Sequence, residues 1–300
     1  MYSIIIPSFN NCNYLELCIK SIKKNSSYNH QIIVHVNEGS DGTLDLIKKL
    51  NIDYTYTNYN AGICEGMNKA SKKAEFNYIL YAHDDFYFCP QWDVVLKNEV
   101  DRIGNNNFYL SGTMIGTSGT NSLNCGTNIQ NFDENKLLEK FKFLNFDDFQ
   151  GSTWAPHLIH KDLWNKVGGF SEEFFPGTGS DPDLNMKMWK QNIRIFKRLG
   201  KCLVFHFGSV VTRRDNKNIN TVTESGNKGN KIFLLKWGMS IKFFRKYYLK
   251  SDTPYVSELN EPKKNFEFLF NYFLSWVNFL YVKYIYNYNN KINLDRKILF

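Results

Sequence analysis

The sequence lacks the marks of several protein classes. Its six cysteines (Cys12, Cys18, Cys64, Cys89, Cys125 and Cys202) include no Cys-x-x-Cys pair and fall mostly inside apolar runs. A reducing compartment is therefore a simpler reading than a disulfide framework. No basic, apolar leader opens the chain: Ser3-Ile4-Ile5-Ile6 meets Pro7 at once, too short and too uncharged in front for a signal peptide. The protein is thus expected on the cytoplasmic side. There is no internal repeat, and no uninterrupted apolar run of the ~20 residues a membrane span needs. The nearest approach, residues 266–286, is broken by Glu267, Asn271, Ser275, Asn278 and Lys283. On a helix these gather into a narrow polar stripe, which favours an in-plane or protein-packed helix.

What is present is enough to build a core. Three hundred residues with 43% hydrophobic content suit one large α/β domain with an appendage, or two modest domains. A formal charge of +8 favours an acidic partner, whether nucleic acid, an anionic membrane surface or a phosphorylated small molecule.

The first hundred residues alternate β-branched runs with helical patterns, as βαβ units of a largely parallel sheet require. Ser3 to Ile6, Gln31 to Val36, Asp53 to Thr57 and Tyr78 to Ala82 read as strands. Tyr14, Leu15, Cys18, Ile19 and Ile22 recur at three- and four-residue spacing and predict a helix packed on that sheet. Further helices are expected after Thr43 and over residues 62–73. Residues 104–150 carry Gly, Ser, Asn and Thr clusters that imply loops and short strands. Beyond them, His157 to Ile159 and Val204 to Phe207 read as strands and a helix begins at Lys161. The polar stretch from Asp215 to Lys228 reads as a loop.

The strongest chemical feature is Asp84-Asp85 at the carboxyl end of a predicted strand, where open α/β sheets bind ligands. Taken alone, such a pair is more often a solvated turn. Adjacent carboxylates repel, however, and a hard divalent cation bridging to a diphosphate would neutralise them.

Together these residues resemble the family 2 glycosyltransferases of the GT-A fold, over roughly residues 1–214. Ser3-Ile4-Ile5-Ile6-Pro7-Ser8-Phe9-Asn10 resembles that family's first strand and the turn beneath the nucleotide, which implies donor contacts from Pro7, Ser8 and Asn10. Val36-Asn37-Glu38-Gly39-Ser40-Asp41-Gly42-Thr43 resembles its second-strand motif, with Asn37 and Glu38 in place of the usual acids and one residue missing before Asp41. Glu38 inherits the contact to the base. Asn60-Ala61-Gly62 with Asn68 resembles the donor-binding helix, although Met67 stands where a basic residue is common; backbone donors at such a helix start suit a diphosphate, and a plain helix entry is the alternative. His83-Asp84-Asp85 resembles the D-x-D site, with Asp85 as metal ligand and Asp84 near the ribose; His83 departs from the usual acid.

Gly168-Gly169-Phe170, Glu172-Glu173-Phe174-Phe175 and Ser180-Asp181-Pro182-Asp183-Leu184 resemble the family's acceptor side. Asp181 falls where the catalytic base is kept, with Ser180 replacing an acid, and Asp183 is assigned to the acceptor side. A helix cap is the competing reading and suits Asp183 better. His206-Phe207-Gly208-Ser209 resembles the late motif whose imidazole completes the metal site, though a lone histidine on an apolar strand is usually a core residue. Imidazole with carboxylate and phosphate oxygens suits Mn2+ or Mg2+, manganese the better. Arg213 and Arg214 could clamp the diphosphate, or form a solvated turn. Trp154 is a candidate sugar-stacking wall, and His157 and His160 read as structural.

The resemblance implies an inverting transfer of a sugar from a nucleotide-diphosphate donor to the hydroxyl of a glycan or lipid-linked acceptor, in polysaccharide or glycan synthesis. A nucleotidyltransferase on a similar scaffold is one alternative, and a non-catalytic basic binding protein for membrane or nucleic acid another. The expected organisation is a catalytic domain at 1–214, with a nucleotide-binding half at 1–103 and an acceptor-binding half at 104–214. A loop or linker at 215–230 and an aromatic, basic helical extension at 231–300 follow. That extension is either a packed lid or a peripheral contact with the inner face of the membrane, where Lys242, Arg245, Lys246 and Lys250 beside Phe243, Phe244, Tyr247 and Tyr248 suit an anionic leaflet. The aromatics sit at helical spacing rather than interleaved with a basic stripe, so nucleic acid is not expected.

Overall fold

Runs such as Ile4-Ile5-Ile6 and Ile32-Ile33-Val34 are too apolar for a strand with one wet face, and the chain covers them from both sides. The computed structural model describes residues 1–117, 121–208 and 220–286. In it β1 (Ser3–Phe9), β2 (Gln31–Asn37), β3 (Asp53–Thr57) and β4 (Tyr78–Tyr81) run parallel. The crossovers are α1 (Cys12–Asn25), α2 (Thr43–Lys49) and α3 (Gly62–Ser71). α1 buries Leu15, Cys18, Ile19 and Ile22, as the spacing predicts.

The chain continues through β5 (Phe86–Phe88), α4 (Trp92–Ile103), β6 (Phe108–Gly116), α5 (Glu134–Lys140) and β7 (Phe149–Gln150). β8 (His157–His160), α6 (Lys161–Val167), α7 (Ser180–Lys190) and β9 (Ile195–His206) complete the sheet-bearing part. The sheet order is β3-β2-β1-β4-β8-β6-β9-β5, with β7 also paired to β9. β8 runs antiparallel to β4 and β6, and β5 and β7 run antiparallel to β9, while β6 and β9 are parallel. The expected α/β fold with a mostly parallel central sheet is thus found, and one sheet runs through both halves of residues 1–206.

Two strands are longer than the sequence suggests. β6, nine residues long, lies inside the stretch read as loops and short strands, because Ser111-Gly112-Thr113 interrupts its apolar run. β9 starts at Ile195 rather than near Val204, because Lys197 is charged yet buried. It is held by Glu99 at 3.0 Å and Asp148 at 2.7 Å, the pairing that lets a charge sit inside a fold.

The carboxy-terminal helices are α8 (Asn220–Trp237), α9 (Ile241–Tyr247) and α10 (Phe266–Leu280), the last passing into a π-helical turn at Tyr281–Tyr286. Residues 220–230, expected within a loop or linker, are therefore helical; residues 215–219 lie outside the described residues. The polar start of α8 has the composition of a loop. Its apolar end, with Ile232, Phe233, Leu234 and Leu235 buried, supplies the tertiary packing that sustains a helix. Phe233, Phe243 and Phe244 join the same core as the sheet, so α8 and α9 are a packed extension. All six cysteines are free thiols.

One close approach fixes α3 on the sheet. His35 of β2 is fully buried and held by Thr55 Oγ1 at 2.7 Å and Thr57 Oγ1 at 3.3 Å. Burial, and then Lys69, pushes its pKa down to about 4, so the ring is neutral. A Cβ on Gly66 would come within 2.7 Å of its Cδ2, and the two threonine contacts leave the ring nowhere to go. Gly66→Val is expected to destabilise the fold by about 2 kcal/mol through overpacking, read as a lower urea midpoint at unchanged slope; an unchanged midpoint would show that the ring can yield.

Candidate active site

The acidic turn is held by its neighbours in sequence. Asp84 and Asp85 lie between β4 and β5, and the antiparallel pairing of β5 with β9 sets Phe86 opposite His206. His206 Nε2 consequently stands 3.3 Å from Asp85 Oδ2. Both acids are buried, and Ser8 at the end of β1 donates its hydroxyl to Asp84 Oδ2 at 2.7 Å. His83 completes the group: the donor atoms of His83, Asp85 and His206 lie within 4.8 Å of one another. Burial pushes the pKa of His83 down to about 4 against the pull of Asp85, leaving a neutral imidazole. Two imidazoles and a carboxylate on one point form a donor set that fits a divalent transition ion. His83 was noted in the sequence only as a departure from an acid, and its ligand chemistry was the missed signal.

The carboxyl ends of β1 and β2 supply the adjoining surface. Glu38 is exposed just past β2, in a left-handed conformation (φ 63°), and accepts from Ser40 Oγ at 3.2 Å. Asn10 accepts from Ser40 N at 2.9 Å and ties the loop after β1, with Pro7 and Ser8 before it, to the loop after β2. Asp41, in the same motif as Glu38, has a structural role. It accepts from Cys12 N and from Thr43, so it closes the starts of α1 and α2 against each other.

The start of α3 departs from expectation. Ala61 N donates to Asn37 Oδ1, Gly62 N to Asn60 Oδ1, and Ile63 N to the carbonyl of Pro176. The amides of Ala61, Gly62 and Ile63 are therefore held by acceptors within the protein. Gly62 has φ 72°, and a Cβ there would meet Phe175 at 2.8 Å. Asn68 is likewise occupied. Its amide donates to Phe170 O and Glu172 Oε1 and accepts from Phe170 N. Asn60, Gly62 and Asn68 thus lie where α3 is joined to the segment before α7.

That segment delivers Asp181 in the first turn of α7. Oδ1 of Asp181 is sealed from solvent with no partner among the described residues, and burial pushes its carboxyl up to about 7. The Tyr81 phenol, at the end of β4, is raised by burial and then by the charges of Asp181, Cys64 and Asp84. One turn further along, Asn185 is fully buried with neither amide atom partnered among the described residues, and His157 Nε2 and Ser111 Oγ share that state. Buried polar atoms in this condition ordinarily hold water or a ligand. His157 and Ser111 are register partners on β8 and β6, and Asn185 is a residue the sequence did not single out.

Asp183 corrects a second expectation. Its carboxylate is fully buried, accepting from Ser171 Oγ at 2.6 Å and Trp237 Nε1 at 2.8 Å, with Lys236 Nζ at 3.0 Å. It binds α7 to α8 and is not open to an acceptor. Trp154 is half exposed at 48%, with the Arg245 guanidinium 5.8 Å from its ring. It precedes β8, whose His157 pairs with Tyr81, so it lies at the same end of the sheet as the acidic turn. Arg213 lies outside the described residues. A surface groove of about 610 Å³ lined by Glu99, Arg102, Asp148 and Tyr255 includes none of these site residues.

A central sheet of this order flanked by helices is that of the GT-A fold of nucleotide-sugar transferases. The chain belongs to glycosyl transferase family 2, whose sequence profile matches residues 3–157. A search of curated proteins finds no match. Among solved structures it is similar to S. aureus TarS 1-349, with a TM-score of 0.56 and 14% identity over 99% of this chain and 76% of that one. A longer TarS chain is spanned to 46% of its length. The form in complex with UDP-GlcNAc gives 0.53 and 12% over the same shares. GalNAc-T7 with UDP, GalNAc and Mn2+ gives 0.52 and 14%, over 69% of this chain and 43% of that one. At these identities the structural likeness establishes the fold. Family membership favours glycosyl transfer over the nucleotidyltransferase and non-catalytic alternatives.

The two acids of α7 should separate in stability measurements. Asp183→Ala strands Lys236 and Trp237 and is expected to cost about 3 kcal/mol. Asp181→Asn removes no charge paired among the described residues and should leave the urea midpoint unchanged or slightly raised; equal losses would refute the division of roles.

Proposed function

We propose that the protein moves a sugar from a nucleotide-diphosphate donor to an acceptor hydroxyl by a single in-line displacement with inversion, in glycan or polysaccharide assembly. The observation that carries this reading is Asp181. A carboxylate pushed up to about 7 by burial, at the strand end that bears the acidic turn, is matched to taking a proton near neutral pH. As the acceptor oxygen attacks the anomeric carbon, Asp181 receives its proton and the nucleoside diphosphate leaves. Glu38 at the rim of β2 would meet the base, Asp84 the ribose, and Pro7, Ser8 and Asn10 would floor the nucleotide. Asn185 would orient Asp181 or the acceptor through its unpaired amide.

Asp85, His206 and His83 would hold Mn2+ or Mg2+, and a cation there offsets charge on the leaving diphosphate, a contribution of several kcal/mol. Arg213 retains its proposed diphosphate contact and Trp154 its proposed stacking with the acceptor. The acceptor is a glycan or a lipid-linked hydroxyl compound, met at the inner, cytoplasmic face of a membrane.

Asp181→Asn is expected to lower kcat by about 10²–10⁴-fold with donor affinity retained; turnover at the wild-type rate would remove Asp181 as base. Because the base must be unprotonated, kcat/KM for the acceptor should fall by about tenfold per pH unit below about 7, an ascending limb that the Asn variant lacks. For the cation, Mn2+ titration followed by electron paramagnetic resonance should show at least about tenfold weaker binding in His83→Ala and in His206→Ala. Binding equal to wild type in both would place the ion elsewhere.

A further inference from the structure

α10 is mounted with its apolar face outward. Phe268, Ser275 and Val282, seven residues apart, face the protein. The Phe268 ring lies 5.0 Å from Phe243, Ser275 Oγ accepts from Ser240 N at 2.8 Å, and Val282 packs with Leu234 and Leu235. On the other side Phe266, Leu269, Phe270, Phe273, Trp276 and Val277 are all exposed, Phe266 at 84% and the rest at 44–55%. At 100° per residue the outward arc from Trp276 round to Leu274 covers about 160° and contains no polar side chain other than the Tyr281 and Tyr284 hydroxyls. A helix on a water-facing surface has the reverse arrangement, and a contiguous apolar face of this extent marks an interaction site.

The charges around the face select what covers it. Lys263 and Lys264 stand just before the cap Asn265, and Lys283 on one border lies 5.2 Å from the Tyr284 ring. On the other border Glu267 is neutralised by Lys246 at 2.6 Å. A second copy meeting this face through a two-fold axis would set these cations against their own counterparts. An anionic phospholipid surface complements them instead, with Trp and Tyr at headgroup depth. Among the described residues no helix is long and apolar enough to cross a membrane.

We propose that α10 lies in the plane of a membrane, its outward face among the acyl chains of anionic phospholipid and Lys246, Lys263, Lys264 and Lys283 against the headgroups. α9 connects this face to the active site, since Arg245 approaches Trp154 while the next residue, Lys246, pairs with Glu267 of α10. Where the proposed transfer to a lipid-linked acceptor holds, that acceptor would emerge from the bilayer beside Trp154. The lipid contact itself is read without donor, acceptor or turnover, so an inactive Asp181 would leave it standing.

The test is co-sedimentation of the full chain with vesicles of phosphatidylcholine alone or with phosphatidylglycerol added. The wild type is expected to bind the anionic vesicles at least about tenfold more tightly. Phe270→Ser/Phe273→Ser/Val277→Ser should abolish binding with the circular dichroism of the wild type. Because that variant alters a helix, Lys263→Glu/Lys264→Glu, confined to exposed side chains before it, serves as a second probe and should lose binding severalfold. The proposal is overturned by a wild type that stays in solution with both vesicle types, by a triple variant that binds as the wild type does, or by a wild-type dimer that the triple substitution converts to monomer.

Discussion

The three-residue strand β5 is the contact on which the site depends. Phe86, Tyr87 and Phe88 are fully buried and pair with the end of β9, at the far edge of the sheet from β3. This pairing turns Asp84 and Asp85 inward and sets His206 against Asp85. Two adjacent buried carboxylates would otherwise be driven apart or protonated. Here one accepts a hydrogen bond from Ser8 and the other faces an imidazole. The sheet therefore sets two carboxylates in a low-dielectric position, an arrangement that favours a divalent cation between them and a ligand. That a chain of net charge +8 keeps acids there sets the turn apart from its surface.

The same logic divides the two acids in the first turn of α7. Asp183 receives Ser171, Lys236 and Trp237 and serves as the bolt between the sheet-bearing part and α8. Asp181, two residues earlier, is buried with no paired cation among the described residues, and burial pushes its carboxyl up to about 7. Environments that push neighbouring acids into different roles are how an active site separates a base from a scaffold. The carboxy-terminal helices thus fix the helix that carries Asp181, the proposed base.

Much of this was legible in the sequence where local pattern and tertiary role agree. The helix of Leu15, Cys18, Ile19 and Ile22, the strands at Ser3, Gln31 and Asp53, and the Asp84-Asp85 turn are marked by apolar period and by the place where a strand stops. β6 and the first half of β9 were not, because Gly112 and Lys197 break a strand pattern locally and are accepted only through contacts distant in sequence. The polar start of α8 failed for the same reason. Among site residues, Asp85, His206 and Ser8 came together as their motifs implied. His83 was overlooked because its position, judged by similarity, calls for an acid, although imidazole is as good a ligand. Asn185 carries no motif, and its unpaired amide is visible only in three dimensions.

At α3 the resemblance marks residues whose polar groups also tie the fold together. Asn60, Gly62 and Asn68 fall where a donor-binding helix begins, yet their polar groups are turned to residues 170–176. Gly62 admits Phe175, Ile63 N holds Pro176 O, and Asn68 exchanges hydrogen bonds with Phe170 in both directions. α3 is in turn seated on β2 through Asn37 and His35, the strand that ends in Glu38. A single helix therefore couples the rim where the nucleotide base would sit to the segment that positions Asp181. A change at Asn68 would accordingly loosen the segment that leads to Asp181.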